Sequence, residues 1–139
     1  MFVSRARLLV VTLWAGSLWT IGYMVAPTLF GTLSDRVLAG MIAGSMFTTG
    51  AWVSMACGVV TLGLLALSKD VTDQRRKTLC IIAGVMLACL LLSHFGLRPV
   101  MAELKQSGDK AKFGMLHGVS MVLYLVQSIL AVFLVAKNP

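Results

Sequence analysis

Acidic side chains are scarce in this chain. Only five of its 139 residues are Asp or Glu. Asp35, Asp70, Asp73, Glu103 and Asp109 all fall in polar gaps, and none lies within an apolar run. A buried carboxylate pair of the kind that relays protons through a pump is therefore missing. Glu103 is the one acid near Arg98 in sequence, and an acid–base pair at the membrane surface would need those two to meet. The chain has no HExxH, no GxSxG and no phosphate-binding glycine loop, so the hydrolytic and nucleotide-binding chemistries that use them have no motif to rest on. The three cysteines, Cys57, Cys80 and Cys89, are odd in number, lack a CxxC spacing and sit in or beside apolar runs. That pattern excludes a disulfide framework or zinc site and predicts reduced thiols acting as small hydrophobes. There is no soluble domain, long linker or low-complexity segment.

What the chain has is apolar length. Hydrophobic residues make up 58% of it and charged residues 12%, with a mean hydropathy of +0.91. A soluble domain of this size cannot hide that much apolar surface, and runs near 20 apolar residues read as membrane spans. Four spans are predicted, at about 8–30, 39–67, 78–97 and 114–136. Together they make residues 1–139 a single all-α domain, an integral membrane four-helix bundle of two helical hairpins without a sequence repeat. The first run, behind Arg5 and Arg7, is too long and bulky for a signal peptide and is read as a retained span.

The basic residues explain the net charge of +7 without nucleic acid as a partner, because they fall in short gaps rather than on one face of a soluble module. Arg5, Arg7, Lys69, Arg75, Arg76, Lys77 and Lys137 lie at the termini and in the second gap. Arg36, Arg98, Lys105, Lys110 and Lys112 lie in the first and third. This division places both termini in the cytoplasm by a small margin.

Proline and glycine mark positions within the spans. Pro27 removes a backbone donor and is expected to kink or end the first helix near a membrane face. Pro99 biases Arg98 away from α geometry, so the third span is expected to stop at Leu97. A connector from Arg98 to Phe113 follows, with a short helix over Val100–Gln106 and a turn at Ser107-Gly108-Asp109. Ser34 or Asp35 is positioned to cap the second helix. Gly40 and Gly44 form a GxxxG, Gly50, Ser54 and Gly58 continue small residues at a spacing of four, and Gly114 and Gly118 form a second GxxxG. Such faces predict close helix packing, or association with a second copy or a partner membrane protein.

In the fourth span His117, Ser120, Tyr124, Gln127 and Ala131 recur at steps of three and four, which places them on one helix face. Polar side chains facing lipid are costly, so that face is expected to look toward the other helices. His94 lies just before the end of the third span and His117 just after the start of the fourth. Antiparallel helices bring them to similar depth, on the extracytoplasmic side. The candidate ligand-binding residues are therefore Arg98, His117, Ser120, Tyr124 and His94. The ligand is a small molecule or a lipid headgroup, bound without enzymatic activity. His94 and His117 are also candidate metal positions, holding haem between facing imidazoles or copper with help from Met24, Met46, Met115 or Met121.

Trp14-Ala-Gly-Ser-Leu-Trp19, Ala26-Pro27-Thr-Leu-Phe30, Leu97-Arg98-Pro99 and Phe113-Gly-Met-Leu-His117-Gly-Val-Ser120 together resemble small bacterial membrane proteins related to vertebrate transmembrane protein 205. That resemblance implies a four-span bundle in the bacterial inner membrane. A more distant likeness is to the copper-resistance D proteins and to haem-binding four-span protoporphyrinogen oxidases, for which His94 and His117 are the only positions that could inherit a ligand role.

Overall fold

The computed structural model describes residues 1–138. Four helices account for nearly all of them: α1 (Phe2–Thr32), α2 (Arg36–Leu67), α3 (Asp73–Ser107) and α4 (Lys110–Lys137). Each is long and apolar enough to cross a membrane, and no strand occurs among the described residues. The fold is an all-α four-helix bundle.

The helix starts are set by side-chain caps at the polar gaps. Asp35 Oδ1 accepts from the backbone N–H groups of Val37 at 2.9 Å and Leu38 at 3.1 Å, satisfying donors that the first turn of α2 would leave orphaned. Thr72 Oγ1 accepts from Arg75 N at the start of α3. Asp109 Oδ1 does the same from Lys112 N at the start of α4. Gly108 ends α3 with φ +77°, a left-handed conformation that a residue without Cβ adopts at no steric cost.

Pro27 and Pro99 both lie inside continuous helices, so the first helix does not end at Pro27 and the third runs past its expected stop at Leu97. A π-helical stretch, Ile21–Val25 in α1 and Leu92–Leu97 in α3, ends two residues before each proline. Proline lacks an N–H and its ring crowds the carbonyl four residues back. A wider turn just upstream re-spaces those carbonyls, and the helix continues. Arg98 therefore stays helical, with φ −60° and ψ −46°, and α3 runs unbroken to Ser107 in place of the expected connector and separate short helix.

Each helix packs on its neighbour in sequence, and α4 returns to α1. The core lies at the end that carries both termini. Val11, Trp14, Ala15 and Leu18 of α1 meet Cys57 and Leu65 of α2, Leu79, Ala83 and Met86 of α3, and Ala131 and Leu134 of α4. Here the small residues of α2 allow close approach. A Cβ on Gly58 would lie 2.8 Å from Leu87 Cγ of α3, and one on Gly50 would lie 2.6 Å from Ile21 Cδ1 of α1. The GxxxG pairs behave differently. A Cβ on Gly40, Gly114 or Gly118 would meet nothing within 4 Å, and one on Gly44 would meet only the Arg98 guanidinium at 3.8 Å. These glycines do not pack one helix of the bundle on another, because the opposing helices have drawn apart at that end.

Arg7 closes the packed end. Its side chain is fully buried, where the charge pattern had marked it only as a topology signal. Nε donates to Asn138 Oδ1 at 2.6 Å, Nη1 to Ser68 Oγ, and Nη2 to Asp70 Oδ2 at 3.2 Å. One guanidinium thus joins α1, the α2–α3 loop and the end of α4. Arg76 adds a second tie, from Nη2 to the Ser68 carbonyl at 2.6 Å. The termini and the α2–α3 loop consequently share one end of the bundle.

The Asp70 carboxyl is held below the usual carboxylate range by its own backbone N–H and then by the Arg7 hydrogen bond and charge, against an opposing effect of burial. A depressed folded-state pKa stabilises the fold above the ordinary carboxylate pKa, and that contribution is lost as pH falls through the lowered value. Thermal unfolding of wild type and Asp70→Asn, compared from pH 7 downward, is expected to show a gap that closes below about pH 4.

Candidate functional site

Beyond the π turns the packing changes. The α1–α2 and α3–α4 hairpins stay intact, with Ala26–Thr32 against α2 and Arg98–Ser107 against α4. Contacts between the hairpins are concentrated in the Phe2–Thr20 and Asp73–Leu91 parts of α1 and α3. At the other end the hairpins part and leave a cavity of about 810 Å³ lined by all four helices. That lies within the range of roughly 300–1,000 Å³ seen for small-molecule sites.

The walls are mainly apolar: Ile21, Ala26 and Phe30 from α1, Ala43 and Phe47 from α2, Leu90 and Met101 from α3, Met121, Val122 and Leu125 from α4. The polar lining includes Arg98, His94, Ser93, His117, Ser120, Tyr124 and Gln127. All five candidate ligand-binding residues therefore line one space. Ala131, the last member of the expected stripe, is buried in the core below it.

Arg98 links the hairpins at this open end. Nη1 donates to Thr48 Oγ1 at 2.6 Å and Nη2 to the Gly44 carbonyl at 3.2 Å. His94 Nδ1 lies 3.4 Å from Nη1, the one-turn contact that an unbroken α3 allows. No carboxylate pairs with Arg98 among the described residues. The ion pairs there are Arg7–Asp70, Arg76–Asp73 and Lys112–Asp109, so Glu103 does not form an ion pair with Arg98. Ser93 Oγ and Ser120 Oγ, 3.2 Å apart, set the register of α3 on α4. They hold the two histidines within about a turn of one level.

The cavity floor is aromatic and hydrogen-bonded. Tyr124 points from α4 toward α1, where its hydroxyl donates to the Leu18 carbonyl just before the first π turn. Its ring packs edge-on against Tyr23 at 6.1 Å and Phe47 at 5.4 Å. Ser128 collects Tyr23 Oη on its hydroxyl at 2.8 Å and Trp19 Nε1 on its carbonyl at 3.2 Å. Sequence reading missed Thr48, Ser93, Trp19 and Ser128. Ser128 follows Gln127 and falls four residues after Tyr124, so a wider stripe would have included it.

Among the described residues no group of three or more His, Cys, Asp or Glu side chains is placed to hold a metal ion. His94 packs edge-on against Trp52 and Phe95 with a guanidinium at its Nδ1, a charge that opposes a cation there. His117 stacks on Phe113, with centroids 6.0 Å apart and planes 6° from parallel. Cys57, Cys80 and Cys89 are free.

Four apolar helices in an all-α bundle define a multi-pass membrane protein. The chain belongs to the family described as Domain of unknown function (DUF4149), whose model matches residues 9–110. The match takes in Arg98, His94, Gly44 and Thr48 but stops at the start of α4, so His117, Ser120 and Tyr124 lie outside it. No curated protein matches the chain. No solved structure matches it either.

Proposed function

We propose that this protein is a membrane receptor or carrier for a small ligand, held in the cavity between the hairpins by Arg98, His94, His117, Ser120 and Tyr124 without chemical conversion. One observation carries the reading: a guanidinium without a carboxylate partner faces a largely apolar cavity of about 810 Å³. A charge so placed is costly unless something compensates it, and a ligand would do so. The likeness to transmembrane protein 205-type bacterial proteins belongs to this reading, as do an inner-membrane location and cytoplasmic termini. Under that topology the cavity opens on the extracytoplasmic side. The outward Gly114, with open space at its Cβ position, suits a second copy or a partner helix.

The test fills the cavity from within. Gly118 lines it, and a Cβ added there would have nothing within 4 Å, so Gly118→Leu extends a side chain into the space without a local clash. Replacing a helical glycine also favours the helix, by up to about 1 kcal/mol. Gently purified wild-type protein is expected to carry a co-purifying small molecule by mass spectrometry, and Gly118→Leu to lose it with thermal stability unchanged or raised. The same bound inventory in both proteins would overturn the reading. A Soret band or stoichiometric copper in wild type would replace it with the haem or copper alternative at His94 and His117.

A further inference from the structure

We infer that the occupant of the cavity is a single-chain amphiphile with an oxyanion head, a fatty carboxylate or a lysophosphate, with its head on Arg98 and its tail among the apolar walls. This rests on the cavity reading above and adds the chemical class of the ligand.

The head assignment comes from donors left over. A guanidinium carries five N–H groups in a planar fork that matches carboxylate and phosphate oxygens. Protein atoms engage three of them, through Thr48, Gly44 and His94. No acidic residue lines the cavity, so a bound anion would meet no repulsion. The hydroxyls of Ser93 and Ser120 and the ring of His117 share the lining and offer further donors to an oxyanion.

The tail assignment comes from the walls and from where the space opens. From Arg98 down to Leu90 the cavity runs about 12 Å along α3. On the α1 and α4 sides several of the lining residues are also exposed on the protein surface: Tyr23, Phe30, Met121, Val122 and Leu125. In a membrane that surface faces lipid, so the opening admits a chain sideways from the leaflet. A free water-soluble anion would gain nothing from those walls.

The experiment uses the full chain in nanodiscs of zwitterionic phospholipid and measures binding of labelled oleate. Competitors are oleoyl lysophosphatidate, oleyl alcohol and inorganic phosphate. Oleate and the lysophosphate are expected to compete with each other, while oleyl alcohol is at least about 10-fold weaker and phosphate is without effect. Arg98→Gln should weaken oleate about 10- to 100-fold, the usual range for losing hydrogen bonds to a charged group, and leave oleyl alcohol unchanged. Arg98→Lys should recover part of the loss. The wild-type competition series decides the question even if an Arg98 variant fails to fold. Alcohol binding as tightly as acid would overturn the anionic head and leave the cavity reading standing. Phosphate displacing oleate would overturn the lipid source in favour of a free anion. Absence of binding by every chain compound, with Gly118→Leu still losing a co-purified molecule, would overturn the amphiphile alone. Loss of both results would remove the cavity reading as well.

Discussion

Replacing Arg7 with alanine is expected to destabilise the bundle by about 3 kcal/mol or more, among the largest single-residue effects in the chain. The guanidinium is fully buried and serves three partners drawn from α1's neighbours at the packed end. Its removal leaves the half-buried Asn138 Oδ1 without its partner, while Ser68 Oγ keeps its bond to the Leu64 carbonyl. An unsatisfied buried polar group costs about 1–3 kcal/mol, and the packing lost with the buried side chain adds to it. Asp70 adds little to that cost, since its side chain is 40% exposed and water can take over from the lost partner. Arg5→Ala is the control. It removes the same charge from the same end, but Arg5 is exposed, and a change within about 0.5 kcal/mol is expected. Denaturant unfolding in detergent micelles reads both. Equal effects would show that Arg7 acts as a topology charge alone. Arg7→Lys is expected to fall between, because an ammonium keeps the charge and loses the fork.

The second large effect is at Gly22. A Cβ there would fall into the Tyr124 ring, 2.8 Å from Cζ and 2.9 Å from Oη. A ring end can often swing away cheaply, but this one is tied to the Leu18 carbonyl and wedged against Tyr23 and Phe47. Gly22→Leu must break those contacts, and overpacking of that kind costs about 1–3 kcal/mol. The displaced ring has only the cavity to enter, so the same change should lower ligand occupancy. Tyr124→Ala in the Gly22→Leu background is expected to recover most of the stability, because the leucine then fills the space the ring has left. A double-mutant cycle with additive losses would mean the two side chains do not compete for one space.

The matched devices in α1 and α3 connect these predictions to the fold. Each helix carries a π stretch, then a proline, and at that level the bundle stops being packed and starts to enclose space. π turns concentrate at functional sites because they expose carbonyls and re-aim side chains. Here the first lies beside the carbonyl that holds Tyr124, and the second carries His94 and hands the helix on to Arg98. Sequence reading took Pro27 for a kink or an end and Pro99 for an end. It had no signal for the compensating turn, since π geometry arises from how the helix accommodates proline against its neighbours and not from residue preference.

The sequence by itself determined that this is a four-span, all-α protein, because hydropathy and helical period are local properties that neighbouring helices do not alter. It also determined a cap for α2 at Ser34 or Asp35, the turn at Ser107-Gly108-Asp109, and the inward face of α4, on which His117, Ser120, Tyr124 and Gln127 line the cavity. Only the tertiary structure decided what that face looks at. Periodicity tells which residues turn inward but not how far away the opposite wall stands. The same GxxxG spacing that predicted packing therefore faces open space at Gly40 and Gly118. Arg7 was beyond sequence reading for a related reason. Its partner Asn138 lies 131 residues away, and only the closing of α4 on α1 turns a surface charge into a buried tie.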